Sequence, residues 1–257
     1  EKLYDLYKLA YTPWEWHAPM FEYAKKIDIT LFSSPFDRSA VDLLEDLNAP
    51  AYKIASFEAI DLPLIKYVAS THKPMIISTG MANDEEITEA INAAKEGGCE
   101  NLAILHCVSG YPAPSEDYNL RIIPDMIKRF NLVTGLSDHT IDNTAAITSI
   151  ALGASIIEKH LTLNNNLIGP DHKSSLDPKR FIQFVKIIRN AEIILKKKTN
   201  KNSQLKNKQF VTKSIVAAKQ IKKGEKFTYY NLTTKRPLFG RPANKILDLI
   251  GKKSKKN

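Results

Sequence analysis

A rhythm constrains this chain more than any other feature. Six short apolar runs, "ITLFSSPFD", "AYKIASFE", "PMIISTGM", "LAILHCVSGYP", "LVTGLSDHT" and "SIIEKHLTL", are rich in Ile, Leu and Val, and each ends in small or polar residues. Between them lie amphipathic segments of helical spacing, "SAVDLLEDL", "LPLIKYVAS", "NDEEITEAINAAKEG", "LRIIPDMIKRF" and "NTAAITSIALG". Successive βα units of this kind predict an α/β fold with a parallel sheet. A closed (β/α)8 barrel of TIM type needs eight strands and six are legible, so two βα units are expected upstream of Glu1.

The flanks are read by the same signals. The opening "EKLYDLYKLAYTPWEWHAPMFEYAKKI" predicts two helices, the second with Thr12 as N-cap and Pro13 in its first turn. A helix is expected from Pro178, closing a first domain at 198; the polar stretch 199–210 reads as a linker. Residues 211–257 then alternate short strand-like pieces with a Lys-Gly turn, a second and smaller module.

In a parallel sheet, ligand groups gather at the carboxyl ends of the strands. The polar residues of this chain fall there. Ser137 and His139 are two apart and share one face of an extended segment, as do Glu158 and His160. Two strands can thus present two imidazoles to one point, a donor set suited to Mn²⁺, Zn²⁺ or Fe²⁺; each histidine alone reads equally as a hydrogen-bonded structural residue. "YKIASFE" brings Lys53, Ser56 and Glu58 to another strand end, an anion-binding ammonium and hydroxyl beside a proton-carrying carboxyl. Strict alternation puts Lys53 on the opposite face from Ser56 and Glu58, so the three converge only if the strand breaks near Ala55. Ser78, in "STG" before the helix-capping Asn83, lets an anion approach the backbone, and Ser109 and Tyr111 stand two apart in a proline-stiffened loop. "GPDHKSSLDP" places Asp171 in a long loop over the strand ends, where substrate selection is usual.

Charge and cysteine usage narrow the classes. The 37 Lys and Arg against 28 Asp and Glu give +9, yet the excess sits in "LKKKTNKNSQLKNK", "KQIKKGEK" and "GKKSKKN" without interleaved aromatics, which reads as solvated surface and not as a nucleic-acid interface. The sequence holds no long apolar run and no basic-then-apolar leader, so no membrane association and a cytoplasmic location are expected. Cys99 and Cys107 form no disulfide framework, and Cys107 in "LAILHCV" reads as a small buried hydrophobe.

Taken in order, "FSSPFD", "YKIASFE", "STGM", "HCVSGYPAP", "GLSDHT", "IIEKH" and "GPDHKSSLDP" resemble the sialic acid synthase family, and "KSIVAAKQIKKGEKFTYYNLTTKRP" is similar to the antifreeze-like (SAF) domain that follows the barrel in that family. The resemblance implies a barrel enzyme condensing phosphoenolpyruvate with an amino sugar to a nonulosonic acid. "LYDLYKLAYTPWEWH" with "FSSPFD" and "KIASFE" looks like the pseudaminic acid branch, whereas "GPDHKSSLDP" leans to the N-acetylneuraminate and legionaminate branches. It implies that His139 and His160 hold Mn²⁺ or Mg²⁺, that Lys53, Ser56, Ser78 and Ser137 cradle phosphoenolpyruvate with Ser34 and Ser109 beside its phosphate, and that Tyr111 and Asp171 contact the sugar. Glu58 would carry a proton for the attacking water. The family's domain-swapped homodimer would bring Arg236 to the sugar, and its "EIGxNHxG"-like and "KxQ"-like strand ends are expected upstream, with the SAF domain cut short at its C-terminus. Two other classes compete: an imine-forming aldolase using Lys53 or Lys159, and a non-catalytic binding fragment.

Overall fold

The computed structural model describes residues 2–196, 202–237 and 239–256. Two compact units divide the chain, residues 1–195 and 196–257.

The first unit opens with α1 (Lys2–Ala10), α2 (Trp14–Lys26) and α3 (Arg38–Asp46). The βα rhythm follows as β1 (Tyr52–Ile54), α4 (Leu62–Ala69), β2 (Met75–Ser78), α5 (Asp84–Glu96), β3 (Leu102–Cys107), α6 (Ile122–Phe130), β4 (Val133–Asp138), α7 (Thr144–Ala151), β5 (Ile156–Lys159) and α8 (Pro178–Leu195). The five strands pair in parallel and in sequence order, β1-β2-β3-β4-β5, as the wall of a TIM-type barrel does. Every predicted inter-strand helix is present. Asn83 caps α5 as read from the sequence: its side chain accepts from the Glu85 and Glu86 amides, and Glu86 returns a 2.8 Å bond to the Asn83 amide.

Two expectations are corrected, and the stretch read as linker acquires a secondary structure. "ITLFSSPFD" forms no ladder: it touches the sheet through one parallel bridge, Ser33 to Tyr52, because proline at 35 and the Asp37 cap of α3 end the extended run at once. The N-cap of α2 is Pro13, one residue later than Thr12, and it makes no side-chain bond. The polar stretch read as linker is helical over Asn202–Val211 (α9), a run free of Gly and Pro; residues 199–201 lie outside the described residues.

The largest core cluster packs α3, α4 and α5 against β1–β3 and includes Leu44, Tyr52, Ile54, Ile65, Met75, Ile77 and Ile104, all at most 2% exposed. In β4, Gly135 is demanded by its neighbours: an added Cβ would stand 2.3 Å from the Ile156 carbonyl oxygen and 2.6 Å from Leu105 Cδ2. The second unit holds α9 and an antiparallel pair, β6 (Ser214–Ala217) and β7 (Leu232–Lys235), with a turn at Gly224, whose φ is +86°.

Candidate active site

Strand register, before any side-chain distance, decides which residues can meet. Lys53 pairs with Ile76; Ser78, two along from Ile76, pairs with Leu105; Cys107, two along from Leu105, pairs with Ser137; Ser137 pairs with Glu158. Paired residues of a parallel sheet share a face, and so do residues two apart. Lys53, Ser78, Cys107, Ser137 and Glu158 therefore line one face, continued by His139 and His160 at the strand ends.

Contacts follow that register. Lys53 Nζ lies 3.0 Å from Glu158 Oε2, and Ser137 Oγ donates to Glu158 Oε1 at 2.6 Å. The expected break after β1 is present: Ser56–Glu58 form a single 3-10 turn, which swings Ser56 round so that its hydroxyl donates to Cys107 Sγ at 3.1 Å. Gly80, with φ +46°, presses on that turn; a Cβ there would meet Ser56 Cβ at 2.3 Å and Ser109 Oγ at 3.1 Å, so the "STG" and "VSG" loops close over Ser56. Two buried polar atoms among the described residues have no partner, Ser78 Oγ and Glu58 Oε2. Orphaned atoms at strand ends have the chemistry to meet a ligand oxygen or water.

The two imidazoles stand with ring centroids 5.1 Å apart and planes at 73°. His139 Nδ1 donates to the Val108 carbonyl at 2.8 Å, the tautomer assigned from that partner, which leaves Nε2 as an acceptor. His160 Nδ1 is 3.8 Å from Asp171 Oδ2, too long for a hydrogen bond. Two imidazoles ligating one ion through bonds of about 2.0–2.1 Å at a near-tetrahedral angle place their centroids roughly 5 Å apart, a spacing the two rings have. No group of three or more His, Cys, Asp or Glu suited to a metal ion occurs among the described residues. Tyr111 covers them, its ring centroid 4.3 Å from that of His139 and 5.7 Å from that of His160.

The electrostatics differ from group to group. Burial, assisted by Asp61 and opposed by Lys53, raises the Glu58 carboxyl above the ordinary range. Burial and the neighbouring His139 lower His160, favouring the neutral imidazole. Burial would lower His139 as well, but the Cys107 sulfur and the Val108 carbonyl outweigh it and leave the group raised. Burial pushes the Tyr111 phenol up to about 12, so it acts as a neutral donor.

Other expected residues lie less centrally. Ser34 is half-buried beside the Ser33 bridge, and Asp171 is exposed, its backbone carbonyl accepting from Ser175 Oγ at 2.7 Å. Arg236 belongs to the second unit, where its Nε donates to the Val211 carbonyl at 2.6 Å. Lys159 points to the opposite face of β5, paired with Asp138 at 2.8 Å. Two site-lining residues escaped the sequence reading. Cys107 is buried as expected but is a polar partner of Ser56, not a mere hydrophobe; Glu158 holds Lys53 and Ser137 together, a role signalled only by its place two before His160.

Comparison with known proteins bears on the family and the fold. A model of the NeuB family matches residues 1–200, and one of the SAF domain matches residues 212–257. Pseudaminic acid synthase of Helicobacter pylori is 41% identical over 258 residues, covering 100% of this chain and 76% of that protein. N,N'-diacetyllegionaminic acid synthase of Campylobacter jejuni is 43% identical, over 94% of this chain and 73% of its own length. Among solved structures, the spore coat polysaccharide biosynthesis protein SpsE of Bacillus subtilis superposes with TM-score 0.70 at 33% identity, covering 96% of this chain and 75% of that one. N-acetylneuraminic acid synthetase of Leptospira borgpetersenii, in complex with citrate, does so at 0.72 and 28%, covering 79% and 73%. A parallel sheet whose strand ends carry one continuous polar face, matched by the family model along the whole first unit, places this chain in the NeuB family, with an SAF domain as its second module.

Proposed function

We propose that this chain condenses phosphoenolpyruvate with an open-chain amino sugar to a nine-carbon nonulosonic acid, first of all pseudaminic acid from 2,4-diacetamido-2,4,6-trideoxy-altropyranose. Its relatives are named as synthases of pseudaminic acid, diacetyllegionaminic acid and N-acetylneuraminate 9-phosphate, which supports a synthase of nonulosonic acids. The observation that carries the reading is the single face shared by Lys53, Ser78, Ser137, Glu158, His139 and His160.

On this reading Lys53, Ser56, Ser78 and Ser137 bind the anionic groups of phosphoenolpyruvate, with Ser34 and Ser109 beside the phosphate, and the substrate competes with Glu158 for the Lys53 ammonium. His139 and His160 hold Mn²⁺ or Mg²⁺, which when bound polarises the aldehyde oxygen of the sugar. Tyr111 and Asp171 orient that sugar. The carbon 2–carbon 3 π pair of phosphoenolpyruvate forms the bond to the aldehyde carbon, leaving carbon 2 cationic and the aldehyde oxygen as an alkoxide that takes a proton from solvent. Water then adds at carbon 2 and gives one proton to Glu58. The carbon–oxygen bond to phosphate breaks with its electron pair going to phosphate, and the remaining hydroxyl proton is released as carbon 2 becomes the ketone. Burial suits Glu58 to this task, because raising the carboxyl above its ordinary range makes the carboxylate a stronger base than an exposed one. A domain-swapped homodimer with Arg236 at the partner's sugar, in the cytoplasm, belongs to the same proposal.

The test is to incubate the full chain with phosphoenolpyruvate, Mn²⁺ and, in turn, the altropyranose and the N-acetylmannosamine-type acceptors of the N-acetylneuraminate and legionaminate branches, following phosphate and product mass. Phosphate and the matching nine-carbon acid are expected with the altropyranose. Turnover only with an N-acetylmannosamine-type sugar moves the chain to the N-acetylneuraminate or legionaminate branch. No phosphate with any sugar from folded protein, or a borohydride-trapped lysine adduct with pyruvate, overturns the proposal.

A further inference from the structure

Behind the two histidines, on the opposite face of the sheet, lies a set of buried polar contacts that substrate binding does not use. The β4–β5 ladder ends at the pair Asp138 and Lys159, so His139 and His160 each stand one residue beyond the last rung. Nothing in the ladder fixes how the two rings face each other. The side chains of Asp138 and Lys159, 0% and 1% exposed, point away from the imidazoles by strand alternation and join at 2.8 Å. Lys159 Nζ also donates to the backbone carbonyl of Thr140, the residue after His139. Asp138 Oδ1 accepts from the Thr140 amide at 2.9 Å and the Thr140 hydroxyl at 2.8 Å. Tyr118 completes the set: its hydroxyl accepts the His139 amide at 2.8 Å and donates to Asp138 Oδ1 at 3.3 Å, while its own carbonyl accepts from His106 Nε2 at 2.6 Å.

Apart from the His106 bond, which braces Tyr118 itself, each of these bonds ends on a residue that is, or directly adjoins, one of the two histidines. The ammonium ties the chain just after His139 to the chain just before His160, and the Tyr118 hydroxyl holds the His139 amide that the ladder leaves unpaired. A buried ion pair is a poor device for stability alone, because desolvation offsets most of the attraction. Fixing a relative geometry is what such a satisfied polar set does well.

We propose that Tyr118, Asp138, Thr140 and Lys159 form a positioning network that sets the mutual orientation of His139 and His160. The cation arm of the test rests on the reading of those histidines as ligands; the orientation itself does not.

The test uses the full-length chain. The double variant Asp138→Asn, Lys159→Met removes both charges and the tie to Thr140, while the amide oxygen still accepts from Thr140. Tyr118→Phe removes one hydroxyl and serves as the milder variant. Two quantities are read beside thermal melting: nuclear Overhauser contacts between the His139 and His160 rings in metal-free protein, and the Mn²⁺ dissociation constant from the free-ion electron paramagnetic resonance signal. The expected result is loss of the inter-ring contacts and a roughly ten-fold or greater rise in the Mn²⁺ dissociation constant, at a melting temperature within about 4 °C of wild type. Wild-type inter-ring contacts in the folded variants overturn the network, as does their absence from the wild type. Where the double variant does not fold, Tyr118→Phe decides by the same two readings. Wild type that shows the contacts, loses them in the variants, but binds no Mn²⁺ leaves the network standing and removes the cation from the proposed function.

Discussion

Glu58 combines two properties that rarely coexist without a task. One carboxylate oxygen is shielded and unpartnered, and burial lifts the group's pKa above its ordinary 4.5. An acid whose pKa is raised by folding binds more proton in the native than in the unfolded state over the window from 4.5 upward, so it makes stability fall as pH rises through that window. Glu58→Gln removes the slope. Denaturation midpoints taken from pH 4.5 to 7 should therefore decline more in wild type than in the variant, all other carboxylates being common to both. Identical slopes would show that Glu58 titrates like an exposed side chain. The same substitution removes the proton carrier and should slow phosphate release by roughly 10²–10⁴-fold; a variant of undiminished rate would exclude Glu58 from that step.

At the level of elements, β4 depends on a vacancy. Gly135 faces the same side as Ser137 and His139, and its missing Cβ is what lets the Ile156 carbonyl and Leu105 approach. Gly135→Ala must displace backbone, not a flexible side chain, so the cost is expected at about 1–3 kcal/mol or more, read as a lowered denaturant midpoint; an unchanged midpoint would mean that β5 shifts freely. Such a position explains what the sequence did and did not disclose. The helices were legible because each carries its own period and caps, as Asn83 and Glu86 do for α5. Strand ends were legible because polar residues interrupt apolar runs. The convergence of Lys53 with Glu158 was not, since it spans 105 positions and depends on register between strands that are not neighbours. The first apolar run failed as a strand for a related reason: an extended run becomes a ladder only where a partner accepts its hydrogen bonds, and only Ser33 finds Tyr52.

Over the whole molecule, charge is divided unevenly between the two units. Residues 196–257 hold 19 of the 37 Lys and Arg but only Glu225 and Asp248 among the acids, so they carry +17 while residues 1–195 carry −8. The unit that bears the proposed site would by itself repel an anion such as phosphoenolpyruvate at long range; the entire chain, at +9, attracts it. Salt separates the two cases, because the screening length shrinks from about 30 Å at 0.01 M to about 8 Å at 0.15 M. If the net field of the whole chain guides the substrate, kcat/KM for phosphoenolpyruvate falls over that range while kcat at saturation holds steady, since contacts inside the site are screened far less. Replacing Lys252, Lys253, Lys255 and Lys256 by Gln should flatten the dependence without touching kcat. A kcat/KM that rises with salt in the unaltered chain would mean that the acidic unit governs the approach, and that the second module's basic charge has no part in gathering substrate.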